Sequence, residues 1–178
     1  RSVIGEFSNA LGMTFMTFVG QNYGAQKYDR IKDGVRMGVI LSILIHIPLS
    51  AIEIFGGKRI ASLMVTDLSV LELCRQYLLI VGIFVFFLGF LMVFRNCIQG
   101  MGNTWIPMLS GGLEVISRLI FGYWLGRHSF MGIAAAEASA WISVSIMLGS
   151  SFFILFRKVL RTQTPENATD TENIGRVS

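Results

Sequence analysis

The sequence predicts an all-α integral membrane protein, a polytopic bundle of about five transmembrane helices. Of the 178 residues, 53% are hydrophobic and only 15% are charged, a balance that soluble domains rarely reach. Residues 77–94 form an uncharged run with no alternation of polar and apolar residues. A run of that length and uniformity is typical of a membrane-spanning helix and not of a barrel strand.

Five apolar segments are predicted, in order, to be helices: residues 2–19, 35–55, 71–98, 105–125 and 130–156. Asp67 is expected to cap the third helix, because its carboxylate can accept a hydrogen bond from the first unpaired amides. Pro48 cannot donate a backbone hydrogen bond and is expected to kink the second helix. Residues 1–160 thus form the predicted membrane domain, and the polar residues 161–178 are predicted to be a disordered cytoplasmic tail.

The connections predict the orientation of the chain. In residues 20–36, glycines at 20 and 24 are expected to end the first helix and turn the chain. Residues 56–70 are predicted to be an outer loop. If five helices alternate in direction, eight basic residues lie on one side and three or four on the other, which favours a cytoplasmic C-terminus. The expected location is the plasma membrane, with several passes.

Two segments are more specific than a helix connection requires. The first contains Gly20, Gln21, Asn22, Gly24, Ala25 and Lys27, followed by Arg30. The second contains Arg95, Gln99, Gly100 and Gly102. These segments resemble the Q-N-x-G-A-x-K loop and the R-x-x-x-Q-G-x-G-x-T turn of the MATE family of multidrug efflux transporters, and residues 112–118 are similar to its G-x-E-x-x-x-R pattern.

The resemblance implies a transporter of twelve helices in two lobes, which exchanges protons or sodium ions for cationic or amphipathic compounds. The chain resembles helices eight to twelve, so we expect a fragment of the C-terminal lobe whose partners are membrane lipid, small cationic or amphipathic substrates and the missing N-terminal lobe. Some members carry a cation-binding acid in the helix that corresponds to residues 71–98. No acid lies between Glu72 and Gly100 here, so the coupling ion, H⁺ or Na⁺, is expected to bind outside this fragment, in the missing lobe. No other cofactor is implied.

Four polar residues within the apolar segments are candidates for a functional role. Glu114 and Arg118 are spaced to pair on one helix face, either as a cation or proton relay or, the preferred interpretation, as a structural ion pair. Glu137 lies among small residues and is expected either to hydrogen-bond to a neighbouring helix or to line the pathway. His46 precedes Pro48 and is interpreted as a histidine satisfied by the backbone group that the proline frees, with a titrating role as the alternative.

The sequence disfavours other classes of protein. It contains no catalytic constellation, no phosphate-binding loop and no metal-ligand spacing, so an enzyme and a metal site are not expected. The basic residues lie at helix ends, which disfavours nucleic acid as a partner. Two alternatives to the antiporter stay open. A lipid-linked oligosaccharide flippase of the same superfamily would require an arginine-rich cavity, and a membrane scaffold would move no substrate.

Overall fold

The computed structural model describes residues 2–63, 66–127 and 130–163, and this part of the chain is helical apart from short connections. The elements in order are α1 (Ser2–Gly24), α2 (Tyr28–Ala51), a π-helical turn (Ile52–Gly56), α3 (Gly57–Ser62), α4 (Leu68–Gly100), α5 (Trp105–Gly126) and α6 (Phe130–Gln163). The predicted all-α bundle is confirmed.

The chain has the helix lengths of a multi-pass membrane protein. Three helical segments are long and apolar enough to cross a membrane by length and composition: Tyr28–Ser62, Leu68–Gly100 and Phe130–Arg161. The helices α1 and α5 contain 23 and 22 residues, which at about 1.5 Å per residue also reach across a hydrocarbon core of roughly 30 Å. The count of five spans stays a prediction.

The helix α4 lies at the centre of the bundle. It packs against α1 and α2 on one side and against α6 on the other, while α5 packs mainly on α6. Fully buried side chains of the core include Val81, Leu91 and Ile98 of α4 and Trp141 and Leu148 of α6. Lipid tails are as apolar as these side chains, so close packing and hydrogen bonds between helices must hold such a bundle together.

The first connection is much shorter than predicted. The chain is helical through Gly24 and again from Tyr28, so most of the predicted loop at residues 20–36 is helix. The basic residues suggested a loop, but they lie on the solvent-exposed side of the amphipathic first turns of α2. Ile31 and Val35 are buried on the opposite side of those turns, whereas Arg30 is exposed.

The predicted outer loop at residues 56–70 is also partly helical. After α2 the chain passes through the π-helical turn into α3, which ends at Ser62. Gly57 is buried against Leu78 of α4, and a Cβ atom at Gly57 would lie 2.8 Å from the Leu78 side chain. This contact with α4 explains why a polar, glycine-containing stretch stays helical. Asp67 caps α4 as predicted, because its Oδ1 accepts from the Ser69 amide at 2.8 Å.

The last helix extends past the predicted end of the membrane domain. It continues through Arg161 to Gln163, so the first residues of the predicted tail are helical. The rest of that tail, residues 164–178, lies outside the described residues.

Candidate functional site

The turn between α1 and α2 is made by residues 25–27 and not by the glycines. Gln26 has φ 56°, in the left-handed region, and its amide donates to the Tyr23 carbonyl at 3.1 Å. The Lys27 amide donates to the Asn22 carbonyl at 2.9 Å. Asn22 is buried, and its Nδ2 donates to the Phe18 carbonyl at 2.8 Å. Asn22 therefore holds the last turn of α1 from within the helix.

Gly20 has a packing role that the sequence analysis missed. It lies inside α1, and a Cβ atom there would lie 3.4 Å from the Gly100 carbonyl oxygen. A Cβ atom at Gly100 would lie 2.6 Å from the Met16 carbonyl oxygen and 3.1 Å from the Gly20 amide nitrogen. The two glycines thus allow the backbones of α1 and α4 to approach closely. The two motif segments, identified separately in the sequence, meet at this point.

The second segment forms the turn that the sequence predicted. Gly102 has φ +82°, a conformation that favours glycine. The Gly102 amide donates to the Gln99 carbonyl at 2.9 Å. Oδ1 of Asn103 then accepts from the Ile106 amide at 3.2 Å, so Asn103 satisfies an amide at the start of α5. The Gly20–Gly100 contact and this turn lie at the same end of the bundle.

A cluster of three charges joins α4 to α5. The Glu114 carboxylate accepts from Arg118 Nη2 at 2.8 Å and from Arg95 Nη2 at 3.1 Å. Nε of Arg95 also donates to the Ser110 hydroxyl at 3.2 Å. The side chains of Arg95 and Glu114 are 21% and 19% exposed, whereas that of Arg118 is 44% exposed. We call these residues the Arg95–Glu114–Arg118 cluster.

The sequence predicted one of the two ion pairs in this cluster. The spacing of Glu114 and Arg118 within one helix is visible in the sequence, but Arg95 had been assigned to the turn motif alone. A signal for the Arg95–Glu114 pair was present in the sequence. Arg95 lies five residues before the end of α4, and after the turn the chain runs back along α5, which brings residues of α5 close to Arg95. With a guanidinium on each side, the Glu114 carboxylate is well placed to lock α5 against α4, as the structural interpretation expected.

Glu137 bonds to a neighbouring helix. The Tyr77 hydroxyl of α4 donates to Glu137 Oε2 of α6 at 2.8 Å. The alanines before and after Glu137, at positions 134, 136, 138 and 140, are buried. Such small side chains let neighbouring helices approach closely, and Ala136 packs against α5, where a Cβ atom at Gly122 would lie 3.9 Å from the Ala136 Cβ. Of the two predicted alternatives, the structure contains the hydrogen bond between helices.

Replacing Tyr77 with phenylalanine tests this contact. The substitution removes the donor and leaves the half-buried carboxylate of Glu137 with one hydrogen bond fewer, at a cost of about 1–2 kcal/mol. The expected result is a lower thermal unfolding midpoint of the detergent-solubilised protein. Tyr123→Phe is the matched control, because the Tyr123 ring is 68% exposed and its hydroxyl accepts from the exposed Arg127, a surface contact that contributes little. Equal midpoints for the two variants would show that the Tyr77 hydrogen bond contributes nothing.

His46 is completely buried where α1, α2 and α4 meet. Its Nδ1 lies 2.8 Å from the Ser42 carbonyl oxygen, and its Nε2 lies 2.8 Å from the Ser8 hydroxyl of α1. Gly89 of α4 packs directly on the ring, since a Cβ atom there would lie 2.6 Å from the His46 Cε1. The predicted backbone partner of His46 was wrong. The ring was expected to bond to the carbonyl that Pro48 leaves without a donor, but it bonds to the carbonyl of Ser42.

Glu53 is a buried carboxylate. It lies in the π-helical turn and is 7% exposed. From the sequence alone, its place near residue 55, the end of the second predicted helix, favours a side chain that reaches the membrane interface, and the burial contradicts that expectation. The available signal was its spacing of seven residues from His46, which puts both on one side of a helix. Among the described residues, no group of three or more His, Cys, Asp or Glu side chains is arranged to hold a metal ion.

Comparisons with known proteins agree on one family. The family model described as MatE matches residues 2–124. A protein of Thermotoga maritima described as "Probable multidrug resistance protein NorM" is 24% identical over 149 residues, which are 82% of this chain and 31% of that protein. A solved structure, described as the inward-facing conformation of a multidrug resistance MATE family transporter of the MOP superfamily, has a TM-score of 0.72 and 19% identity. The match covers 82% of this chain and 34% of the chain in that solved structure. The chain thus spans about a third of the length of these relatives.

Proposed function

The chain belongs to the MatE family, and from this membership we propose that it forms five helices of one lobe of a cation-coupled antiporter that exports drugs and other xenobiotics. The observation that carries the proposal is the meeting of the two family segments at Gly20 and Gly100, in a chain that the family model matches over residues 2–124. The substrates are small cationic or amphipathic compounds, and the coupling ion is H⁺ or Na⁺. The partners are lipid and the other lobe, and no further cofactor takes part.

The distribution of charge supports a cytoplasmic C-terminus in the plasma membrane. A cavity of about 410 Å³ is lined by Tyr23 of α1, by the α4–α5 turn, and by Leu155 and Val159 of α6. These segments therefore lie at one end of the bundle. Seven basic residues are close in sequence to the residues that line this cavity. They lie at the start of α2 and at the end of α6: Lys27, Arg30, Lys32, Arg36, Arg157, Lys158 and Arg161. An excess of positive charge at one end favours the cytoplasmic side.

The flippase alternative receives less support from the charges in the bundle. A pyrophosphate group would need several arginines directed at it. Arg95 and Arg118 both bind Glu114, so their charges are partly compensated within the protein. The antiporter is therefore favoured over the flippase.

Transport by the full-length product of the gene in proteoliposomes tests the proposal. The expected result is uptake of tetraphenylphosphonium, a lipophilic cation, when an H⁺ or Na⁺ gradient is imposed. Collapse of the gradient by an ionophore should abolish this uptake, and liposomes without protein are the control. Movement of a fluorescent lipid-linked oligosaccharide without movement of the cation would favour the flippase. Movement of neither compound would favour the scaffold.

A further inference from the structure

A row of polar side chains runs along the side of α2 that faces α4. Its members are Ser42, His46, Ser50 and Glu53, spaced by four, four and three residues, which places them on one face of a helix. Ser42, His46 and Glu53 are buried, and Ser50 is half-buried. We call them the His46–Glu53 row. Its eleven-residue extent corresponds to roughly 16 Å along the helix, about half the thickness of a hydrocarbon core.

The facing surface of α4 leaves space for this row. A Cβ atom at Gly89 would overlap the Ser42 hydroxyl and the His46 ring. At Gly82, seven residues earlier, a Cβ atom would lie 2.9 Å from Cγ1 of Ile54 and 3.4 Å from the Cβ of Glu53. The Ser50 hydroxyl donates to the Gly82 carbonyl at 2.6 Å. Two glycines thus accommodate polar side chains where an apolar membrane helix would ordinarily place bulky ones.

The hydrogen bonds of His46 define where a proton can enter. Because the Ser42 carbonyl can only accept, Nδ1 of His46 must donate to it. In the neutral ring Nε2 is then an acceptor, and the Ser8 hydroxyl donates to it. A proton added at Nε2 reverses this bond, so that the ring donates and Ser8 accepts. His46 can therefore gain a proton without losing either partner.

The charged groups around the row are few. The facing part of α4, residues 78–92, contains no ionisable side chain. On α1 the acid nearest to Ser8 in sequence is Glu6, which is exposed. On α3, Lys58 and Arg59 are exposed. Within the row, the two ionisable groups are the imidazole of His46 and the carboxylate of Glu53.

The position of Glu53 in a π-helical turn is a second, independent indication of function. Such turns interrupt an α-helix at some cost and are frequent at functional sites. Ionisable side chains buried inside membrane proteins likewise mark ion and proton pathways. Both features occur here at a single residue, two helical turns from His46.

We propose that the His46–Glu53 row is a proton-binding site of the transporter. The proton adds to a carboxylate oxygen of Glu53 to give a neutral carboxyl group, or to Nε2 of His46 to give an imidazolium. A hard cation such as Na⁺ is a poor fit, because hard cations prefer a shell of oxygen ligands and a ring nitrogen lies within the row. The inference rests on the proposed antiporter function and identifies H⁺ as its coupling ion. It replaces the expectation from the sequence that this ion binds outside the fragment.

The linkage between proton and substrate provides the first test. If H⁺ binding to the row opposes substrate binding, tetraphenylphosphonium affinity in the full-length protein should rise about tenfold from acidic to alkaline pH, a typical coupling between two sites. Glu53→Gln and His46→Gln should bind the cation but lose most of this pH dependence, and Glu53→Asp should retain it. Glu6→Gln, which changes an exposed carboxylate, is the control. Full pH dependence in both glutamine variants, or uptake driven by Na⁺ and not by H⁺, would overturn the proposal.

A second measurement does not depend on transport. Infrared difference spectra of the full-length protein between acidic and alkaline pH should contain the carbonyl band of a buried protonated carboxyl group or the ring bands of an imidazolium. Glu53→Gln should remove the first or His46→Gln the second, and Glu6→Gln should change neither. Spectra in which neither Glu53→Gln nor His46→Gln alters these bands would contradict the proton site even if transport is coupled to protons. If tetraphenylphosphonium fails to bind while either band is present, the antiporter proposal fails and the proton site stands.

Discussion

Replacing Gly100 with alanine is expected to force α1 and α4 apart and to destabilise the whole bundle. The added Cβ atom would lie 2.6 Å from the Met16 carbonyl oxygen. That oxygen belongs to the backbone of α1 and cannot rotate away as a side chain can. Overpacking of this kind costs about 1–3 kcal/mol. The measurement is the thermal unfolding midpoint of the full-length protein in detergent, which should fall by several degrees.

Gly111→Ala is the matched control for Gly100→Ala. Gly111 also lies in a helix, α5, but no atom outside its own stretch of helix backbone lies within 4 Å of the Cβ position. Alanine favours a helix over glycine by roughly 1 kcal/mol, so this variant should be unchanged or slightly more stable. If Gly100→Ala were as stable as Gly111→Ala, the close contact of the two motif segments would be disproved.

Replacing Glu114 with glutamine is expected to have the second large effect. The change removes the negative charge between Arg95 and Arg118 and leaves two guanidinium groups facing a neutral amide. Removing one partner of a buried ion pair costs about 3–5 kcal/mol, and we expect about half of this because the side chains of the cluster are partly exposed. Since α5 contacts α4 little and two of the hydrogen bonds between them come from Arg95, the expected result is release of α5 from α4, measured as faster proteolysis and a lower unfolding midpoint.

A double-mutant cycle separates the ion pair from other effects of the substitution. Arg95→Gln combined with Glu114→Gln removes both charges, so the double variant should be more stable than the sum of the single effects predicts, by about 1–3 kcal/mol. Arg118→Gln should cost less than Arg95→Gln, because Arg118 is more exposed and lies on the same helix as Glu114. Additive effects of Arg95→Gln and Glu114→Gln would show that the two residues do not interact.

The comparison of sequence and structure shows what short-range patterns can predict. The helical fold, the cap at Asp67, the turn at Gly102 and the Glu114–Arg118 pair each depend on residues only a few positions apart. The contact of Gly20 with Gly100, and those of Arg95 with Glu114 and Tyr77 with Glu137, join residues 80, 19 and 60 positions apart. They depend on the rotation and height of one helix against another, which a single sequence does not contain.

The π-helical turn that contains Glu53 illustrates the same limit within one helix. A regular α-helix would continue with 3.6 residues per turn, whereas the π-helical turn at Ile52–Gly56 widens it locally. That change alters which residues after Ala51 face α4. The glycine at position 57 then packs on Leu78, and the predicted outer loop becomes helix. No composition signal at residues 52–56 distinguishes such a turn from an ordinary helix end.

The unequal lengths of the helices determine which parts of the bundle lie within the hydrocarbon of the bilayer and which extend beyond it. At about 1.5 Å per residue, α4 and α6 are each roughly 50 Å long, whereas a helix tilted by about 20° needs only some 21 residues to cross the hydrocarbon. About ten residues of each long helix must therefore lie among the headgroups or in water. The helices α1 and α5, whose predicted spans match the hydrocarbon without such an excess, would then set the thickness of membrane that the protein prefers. The overhanging end of α6 carries Arg157, Lys158 and Arg161, and these cations are placed at the level of the lipid phosphates.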